Sequence, residues 1–171
     1  KEVLISSGSI ERPLVFGNND TPGVMLSSAA KEYLKIYGVL VGKKPLIFTN
    51  NDSGYETAIE FKKNGINPII LDTRKDPSSE IVNEAKSLNI DIKFSYVVVA
   101  AKGYKKVKAA DIAKISDDKK QLSQIENIDC DCICVSGFWT PTIHLASQSG
   151  NKTKFNEDID AFIPGQSKQN E

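Results

Sequence analysis

The sequence has few of the residues that carry redox or metal chemistry: one histidine, one methionine, one tryptophan and three cysteines among 171 residues. The cysteines stand at 130, 132 and 134, in Asp129-Cys130-Asp131-Cys132-Ile133-Cys134-Val135. An odd count at this spacing is not a disulfide framework, which points to a reducing, cytoplasmic setting. The spacing is neither that of a C-x-x-C redox pair nor that of a zinc knuckle. On one strand the three thiols would all face the same way and fill a buried face. His144, with no second histidine, is read as a capping or packing residue, not a ligand. No apolar run approaches the roughly 18 residues a membrane span needs, and there is no basic-then-apolar leader. Charge of one sign is also missing: 22 Lys+Arg balance 22 Asp+Glu. That balance argues against a bulk nucleic-acid or anionic-membrane binder. The chain opens at Lys1-Glu2-Val3 without an initiator methionine, which reads as a piece of something longer.

What is present fits a globular chain of about one domain's length, 40% hydrophobic and 26% charged. Val3 to Ser6 reads as a short strand and Ile10 to Phe16 as extended, with Pro13 keeping it out of a helix. A loop at 17–23 leads to a helix over Ala29 to Tyr37, with Ser27 or Ser28 as N-cap. Pro45 to Thr49 is an apolar strand, Asn50 to Gly54 a turn, Tyr55 to Lys63 a helix ended near Gly65, and Asn67 to Leu71 a second apolar strand, ending at Asp72. This unit has the size of a βαβ element, and near-continuous apolar strands fit a parallel sheet covered on both faces. Ser78 to Leu88 is a further helix capped by Ser78 or Ser79. Ile92 to Ala100 and Lys105 to Ile115 read as an antiparallel hairpin. Its lysines 102, 105, 106 and 108 suit either a phosphate-binding stripe or a solvated face that blocks edge pairing. Ser116 to Asn127 is polar. Cys130 to Val135 is a strand, Thr153 to Phe155 and Ala161 to Pro164 are short strands, and Gln166 to Glu171 reads as a frayed tail.

The turn after Thr49 stands where a dinucleotide fold places G-x-G-x-x-G, whose glycines let backbone N–H groups approach pyrophosphate at a helix N-terminus. The six residues here are Thr49-Asn50-Asn51-Asp52-Ser53-Gly54, which keep the third glycine alone. Asn51 puts a side chain where backbone should meet phosphate, and Asp52 adds negative charge. Asp72, 21 residues after Asn51, suits a carboxylate on a ribose 2′-hydroxyl, which favours NAD over NADP. Asn51, Asp52, Ser53, Gly54 and Asp72 are therefore the candidate nucleotide residues of this unit.

Four blocks resemble the alpha subunit of heterotetrameric sarcosine oxidase: Ser7-Gly8-Ser9-Ile10-Glu11-Arg12-Pro13-Leu14-Val15-Phe16; Asn18-Asn19-Asp20-Thr21-Pro22-Gly23-Val24-Met25; Phe48-Thr49-Asn50-Asn51-Asp52-Ser53; and Val135-Ser136-Gly137-Phe138-Trp139-Thr140-Pro141 running on through Gly150. The chain departs from that fold's pattern in having Ser6-Ser7-Gly8 where relatives often have Ala-Thr-Gly, and in its cysteine run. The resemblance implies an α/β fold like the flavin- and pyridine-nucleotide-dependent disulfide reductases. A Rossmann-like domain with an antiparallel hairpin, residues 20–127, would be inserted into a larger FAD/NAD(P)-binding-type domain represented by 1–19 and 128–171. Ser7-Gly8 and Ser136-Gly137 would be the crossing points facing the larger domain's dinucleotide. The family implies oxidative demethylation of sarcosine with flavin, NAD and tetrahydrofolate, in a complex with other subunits. The flavin and folate chemistry lies elsewhere in that complex, so this segment would be a nucleotide platform or scaffold without the oxidation site. A disulfide reductase would need a C-x-x-C pair, which this chain does not have. The alternatives are a structural or subunit-contact domain that has lost nucleotide binding, or part of a related amine or opine dehydrogenase.

Overall fold

The computed structural model describes residues 3–118, 120–150 and 152–165. The Lys1-Glu2 opening and the Gln166 to Glu171 tail lie outside the described residues. In chain order the elements are β1 (Ser9–Glu11), β2 (Val24–Leu26), α1 (Ser27–Tyr37), β3 (Pro45–Thr49), α2 (Ser53–Lys63), β4 (Ile69–Asp72), α3 (Glu80–Ser87), β5 (Asp91–Phe94), β6 (Tyr96–Lys102), β7 (Ala109–Lys114), β8 (Glu126–Asp129), β9 (Cys132–Ser136), β10 (Trp139–Pro141), α4 (His144–Gln148), β11 (Thr153–Asn156) and β12 (Ala161–Pro164). Two units separate: Pro13–Gly137 is one, and the described residues up to Arg12 together with those from Phe138 onward are the other.

In the Pro13–Gly137 unit, β2, β9, β3, β4 and β5 form, in that order, a five-stranded sheet whose pairings are all parallel. Its central strands β9, β3 and β4 are largely apolar and buried because both faces are covered, and alternation divides each of them between two cores. Leu46, Phe48, Leu71, Ile133 and Val135 enter one core, with residues of the antiparallel sheet β6-β7-β8. Ile47, Ile70, Cys132 and Cys134 enter the other, with Ala30 of α1, Tyr55, Ala58 and Phe61 of α2, and Val82 and Ala85 of α3.

The cysteines divide between these cores, which corrects the reading that all three face one way. Cys132 and Cys134 share the helix-side core, whereas Cys130 joins the other. The cause is Asp131, a bend just before β9, whose carboxylate accepts the backbone N–H groups of Lys43 and Lys44 at 2.8 Å each and breaks the period-two run. All three cysteines are buried, and none of them is in a disulfide.

Several expected elements move. The Ile92–Ala100 strand is two strands in different sheets, β5 and β6, separated at Ser95, whose φ of 58° turns the chain from one sheet to the other. The partner strand starts at Ala109 and not at Lys105, and the polar stretch after Ser116 ends in β8. Helix α1 starts at Ser27 with Leu26 as its N-cap residue, because the Ser27 hydroxyl is turned inward to donate to Thr57 Oγ1 at 2.9 Å. One compact unit spans Pro13–Gly137. Phe16 is a core residue, Gly17 bridges to Ala100, and β9 lies in the middle of the parallel sheet.

In the other unit β1 pairs antiparallel with β10, and β11 with β12. Val3 to Ser6 is not a strand; the pairing begins at Ser9. Arg12 donates to the carbonyls of Asp160 at 3.1 Å and Ile159 at 3.2 Å, tying the β11–β12 turn to the segment after β1. His144 is exposed at the first position of α4, behind the N-cap Ile143, so it neither caps nor packs.

Candidate functional site

Parallel strands direct their carboxyl ends to one edge, where an α/β sheet binds its ligands. Here β9 ends at Ser136, β3 at Thr49 and β4 at Asp72, in register across neighbouring strands: Thr49 opposes both Ser136 and Asp72. The α2 turn, Asn50 to Asp52, leaves from this edge.

The turn is filled by its own side chains. Thr49 Oγ1 donates to the Asn51 carbonyl at 2.8 Å and accepts the Asn51 N–H at 3.1 Å, closing a tight loop. Asn51 is 9% exposed. Its Nδ2 donates to the Ser136 carbonyl at 3.1 Å and its Oδ1 accepts the Ser53 N–H at 2.8 Å. One amide thus bonds the end of β9 and a backbone donor of the first turn of α2. Those first-turn donors are the groups an anion at a helix N-terminus would use. Gly54 is required by close approach: a Cβ there would lie 2.7 Å from Thr49 Cβ. The glycine is thus kept for helix–strand packing, the third of the three fingerprint roles.

The carboxylate after β4 is equally engaged. Asp72 has no exposed surface. Its Oδ2 accepts the Tyr55 hydroxyl at 2.7 Å and Arg74 Nη2 at 2.8 Å, and its Oδ1 accepts the Arg74 N–H at 2.9 Å and Nε at 3.1 Å. Arg74 Nη1 also pairs with Asp52 Oδ1 at 2.8 Å, and the guanidinium lies 5.9 Å from the Tyr55 ring centroid. Burial drives the Tyr55 hydroxyl above the ordinary phenol range, and its bond to Asp72 pushes the same way. Burial alone would lower Arg74, but its bonds to Asp72 and Asp52 outweigh that and raise it. Two carboxylates share one guanidinium, so this corner carries a net negative charge.

Of the residues singled out from sequence, Asn51, Asp52, Ser53, Gly54, Asp72 and Ser136 therefore meet at one sheet edge. Gly137 follows Ser136 and ends the Pro13–Gly137 unit. Ser7 and Gly8 belong to the other unit, where Ser7 Oγ donates to the Thr142 carbonyl at 2.6 Å and the Thr142 N–H bonds the Gly8 carbonyl at 2.9 Å. The sequence reading missed the parts played by Tyr55 and Arg74. The available signal was a cation two residues beyond Asp72, the spacing at which a backbone N–H and its own side chain can close on one carboxylate. Among the described residues no cluster of three or more His, Cys, Asp or Glu could hold a metal ion, and no helix is long and apolar enough to cross a membrane.

The fold defines the class: the chain has the fold of the thioredoxin reductases. The structure is similar to thioredoxin reductase from T. acidophilum (TM-score 0.67, 17% identity, 86% of this chain and 47% of that one). It is also similar to the bacillithiol disulfide reductase of Staphylococcus aureus (TM-score 0.63, 18% identity, 93% and 46%) and to L-proline dehydrogenase from P. horikoshii (TM-score 0.57, 20% identity, 95% and 26%). Within that class the chain is homologous to one segment of sarcosine oxidase subunit alpha. It is 35% identical to that of Rhizobium meliloti over 166 residues and 32% identical to that of Corynebacterium sp. over 165. The alignments cover 96% and 95% of this chain but 16% and 17% of those relatives, so the chain spans under a fifth of their length. No family model matches.

Proposed function

We propose that this chain is a segment of an oxidoreductase subunit of the sarcosine oxidase alpha type, and that its Pro13–Gly137 unit is a scaffold whose nucleotide turn is permanently occupied by its own side chains. The observation that carries this is Asn51, whose amide joins the end of β9 to the first turn of α2 at the place a pyrophosphate would need. The engagement of Asp72 by Tyr55 and Arg74 supports the same reading, since a carboxylate on a ribose hydroxyl must face outward. In this proposal the whole subunit serves oxidative demethylation of sarcosine in a complex with other subunits, with flavin and tetrahydrofolate held elsewhere in that complex. Ser7, Gly8, Ser136 and Gly137 would border the larger domain's dinucleotide. The oxidation site lies outside this segment, which by itself is inactive towards sarcosine.

The homology over one segment leaves a second reading, an NAD-binding module in its own right, with Asp72 on the ribose. Titration calorimetry of NAD and NADP into the chain separates the two. The scaffold reading expects no saturable heat at micromolar concentrations. Micromolar NAD binding that is lost in Asp72→Asn would overturn it and establish the second.

A further inference from the structure

The lysines between β6 and β7 call for a different explanation from the one their sequence suggests. Blocking of sheet edges requires lysines on an edge strand, but Lys105, Lys106 and Lys108 lie in the turn joining two paired strands. Lys102, at the end of β6, is already neutralised by Asp111 at 2.8 Å. The other three are exposed, and among the described residues none has an ion-pair partner. Beside them Tyr104 is 93% exposed, which leaves an aromatic ring in water with no packing return.

The turn that presents them is rigidly built. Val107 has no exposed surface, sits in the core, and its N–H bonds the Pro22 carbonyl at 2.9 Å. The Lys108 N–H bonds the Lys102 carbonyl at 2.8 Å and closes the turn. Gly103 has φ +144°, and a Cβ there would fall 1.9 Å from the Lys106 carbonyl oxygen, so the tight path excludes any side chain. A surface ordered before binding loses less entropy on association, and tyrosine supplies large contact area with little rotamer freedom.

We propose that the Tyr104–Lys108 turn is a docking tip for an acidic segment of another protein, with Tyr104 as the aromatic anchor and Lys105, Lys106 and Lys108 facing carboxylates. Protein is favoured over nucleic acid because the chain as a whole is neutral and the positive field is confined to one turn with a single aromatic. The proposal is independent of the nucleotide turn.

The test is fluorescence anisotropy of the chain with two labelled probes: an acidic peptide with several glutamates around one phenylalanine, and a single-stranded DNA of similar length. The peptide is expected to bind and to weaken with added salt. The double variant K105E/K106E is expected to weaken it about tenfold, the sum of several exposed pairs. Tyr104→Ala should weaken it while keeping the salt dependence, and Lys35→Glu on α1 should leave it unchanged. All the substituted side chains are exposed, and a circular dichroism melt confirms that each variant is folded. Absence of peptide binding, equal binding by K105E/K106E, or tighter binding of the DNA would each overturn the proposal.

Discussion

The Tyr55 hydroxyl donates a 2.7 Å hydrogen bond to Oδ2 of Asp72, a carboxylate with no exposed surface. This bond joins α2 to the end of β4, and Arg74 Nη2 donates to the same oxygen. Removing the hydroxyl in Tyr55→Phe leaves Asp72 with Arg74 and is expected to cost about 1.5–3 kcal/mol, the range for a bond to a charged group. Arg74→Leu removes the compensating charge from a buried carboxylate and should cost more, about 3 kcal/mol, the low end for a broken buried pair because Arg74 is itself 32% exposed. Urea denaturation of the two variants checks the order. A smaller loss in Arg74→Leu than in Tyr55→Phe would show that the guanidinium is not what makes burial of Asp72 tolerable.

The contact between Gly54 and Thr49 gives a second prediction. In Gly54→Ala the new Cβ would lie 2.7 Å from Thr49 Cβ and 2.8 Å from its Oγ1, inside a packed strand–helix contact. Overpacking of this kind costs about 1–3 kcal/mol. In a Thr49→Gly background the obstruction is gone, and alanine should then gain about 0.5–1 kcal/mol through helix propensity. The sign of the Gly54→Ala effect is therefore expected to reverse between the two backgrounds, a coupling that a double-mutant cycle on thermal denaturation measures directly. Equal costs in both would place the strain elsewhere.

The βαβ core was legible in the sequence because its signals are local. Three apolar residues before Asn50, a helical face at Tyr55, Ala58 and Ile59, and a second apolar run before Asp72 each determine an element within a few positions. The site was half legible. Asn51 and Asp52 announce a degenerate phosphate turn by their identity alone. That Asn51 bonds Ser136, 85 positions away, depends on which strand is inserted beside β3, and no local pattern encodes strand order. The same holds for Cys130 and Cys132: the alternation is visible, but the bend at Asp131 depends on the Lys43 and Lys44 N–H groups supplied by another strand's entry. The split of Ile92–Ala100 into two sheets turns on one positive φ at Ser95, a residue that seldom adopts it.

Acid titration should expose the Lys102–Asp111 pair. The bond from Lys102, aided by Asn127, holds the Asp111 carboxyl below its ordinary value. A folded-state value below the unfolded one gives stability that is present above the unfolded carboxylate range and lost as pH falls through the folded one. Wild type is thus expected to exceed Lys102→Met in stability at neutral pH and to converge with it on acidification below the ordinary aspartate range. Denaturant midpoints measured across that range decide it, and a gap independent of pH would assign the effect to the lysine stem.

Alkaline pH works in the opposite sense at Cys130. Burial pushes this thiol up from 9.0 to about 12, with the charges of Cys132, Asp131 and Asp129 acting in the same direction. Between those values the unfolded thiol has lost its proton while the folded one keeps it, so the unfolded state binds fewer protons and stability falls as pH rises, by at most about 1.4 kcal/mol per pH unit. Stability from this group is intact below about pH 9 and is lost towards 12. Tyr55, also raised, adds a fall of the same sign above the phenol range. Cys130→Ala removes the thiol alone, so its stability should decline less steeply than wild type as pH rises from about 9, and the two slopes should agree near neutrality. Parallel curves for the two proteins would show that the thiol is ionised as readily folded as unfolded, which its 3% exposure argues against.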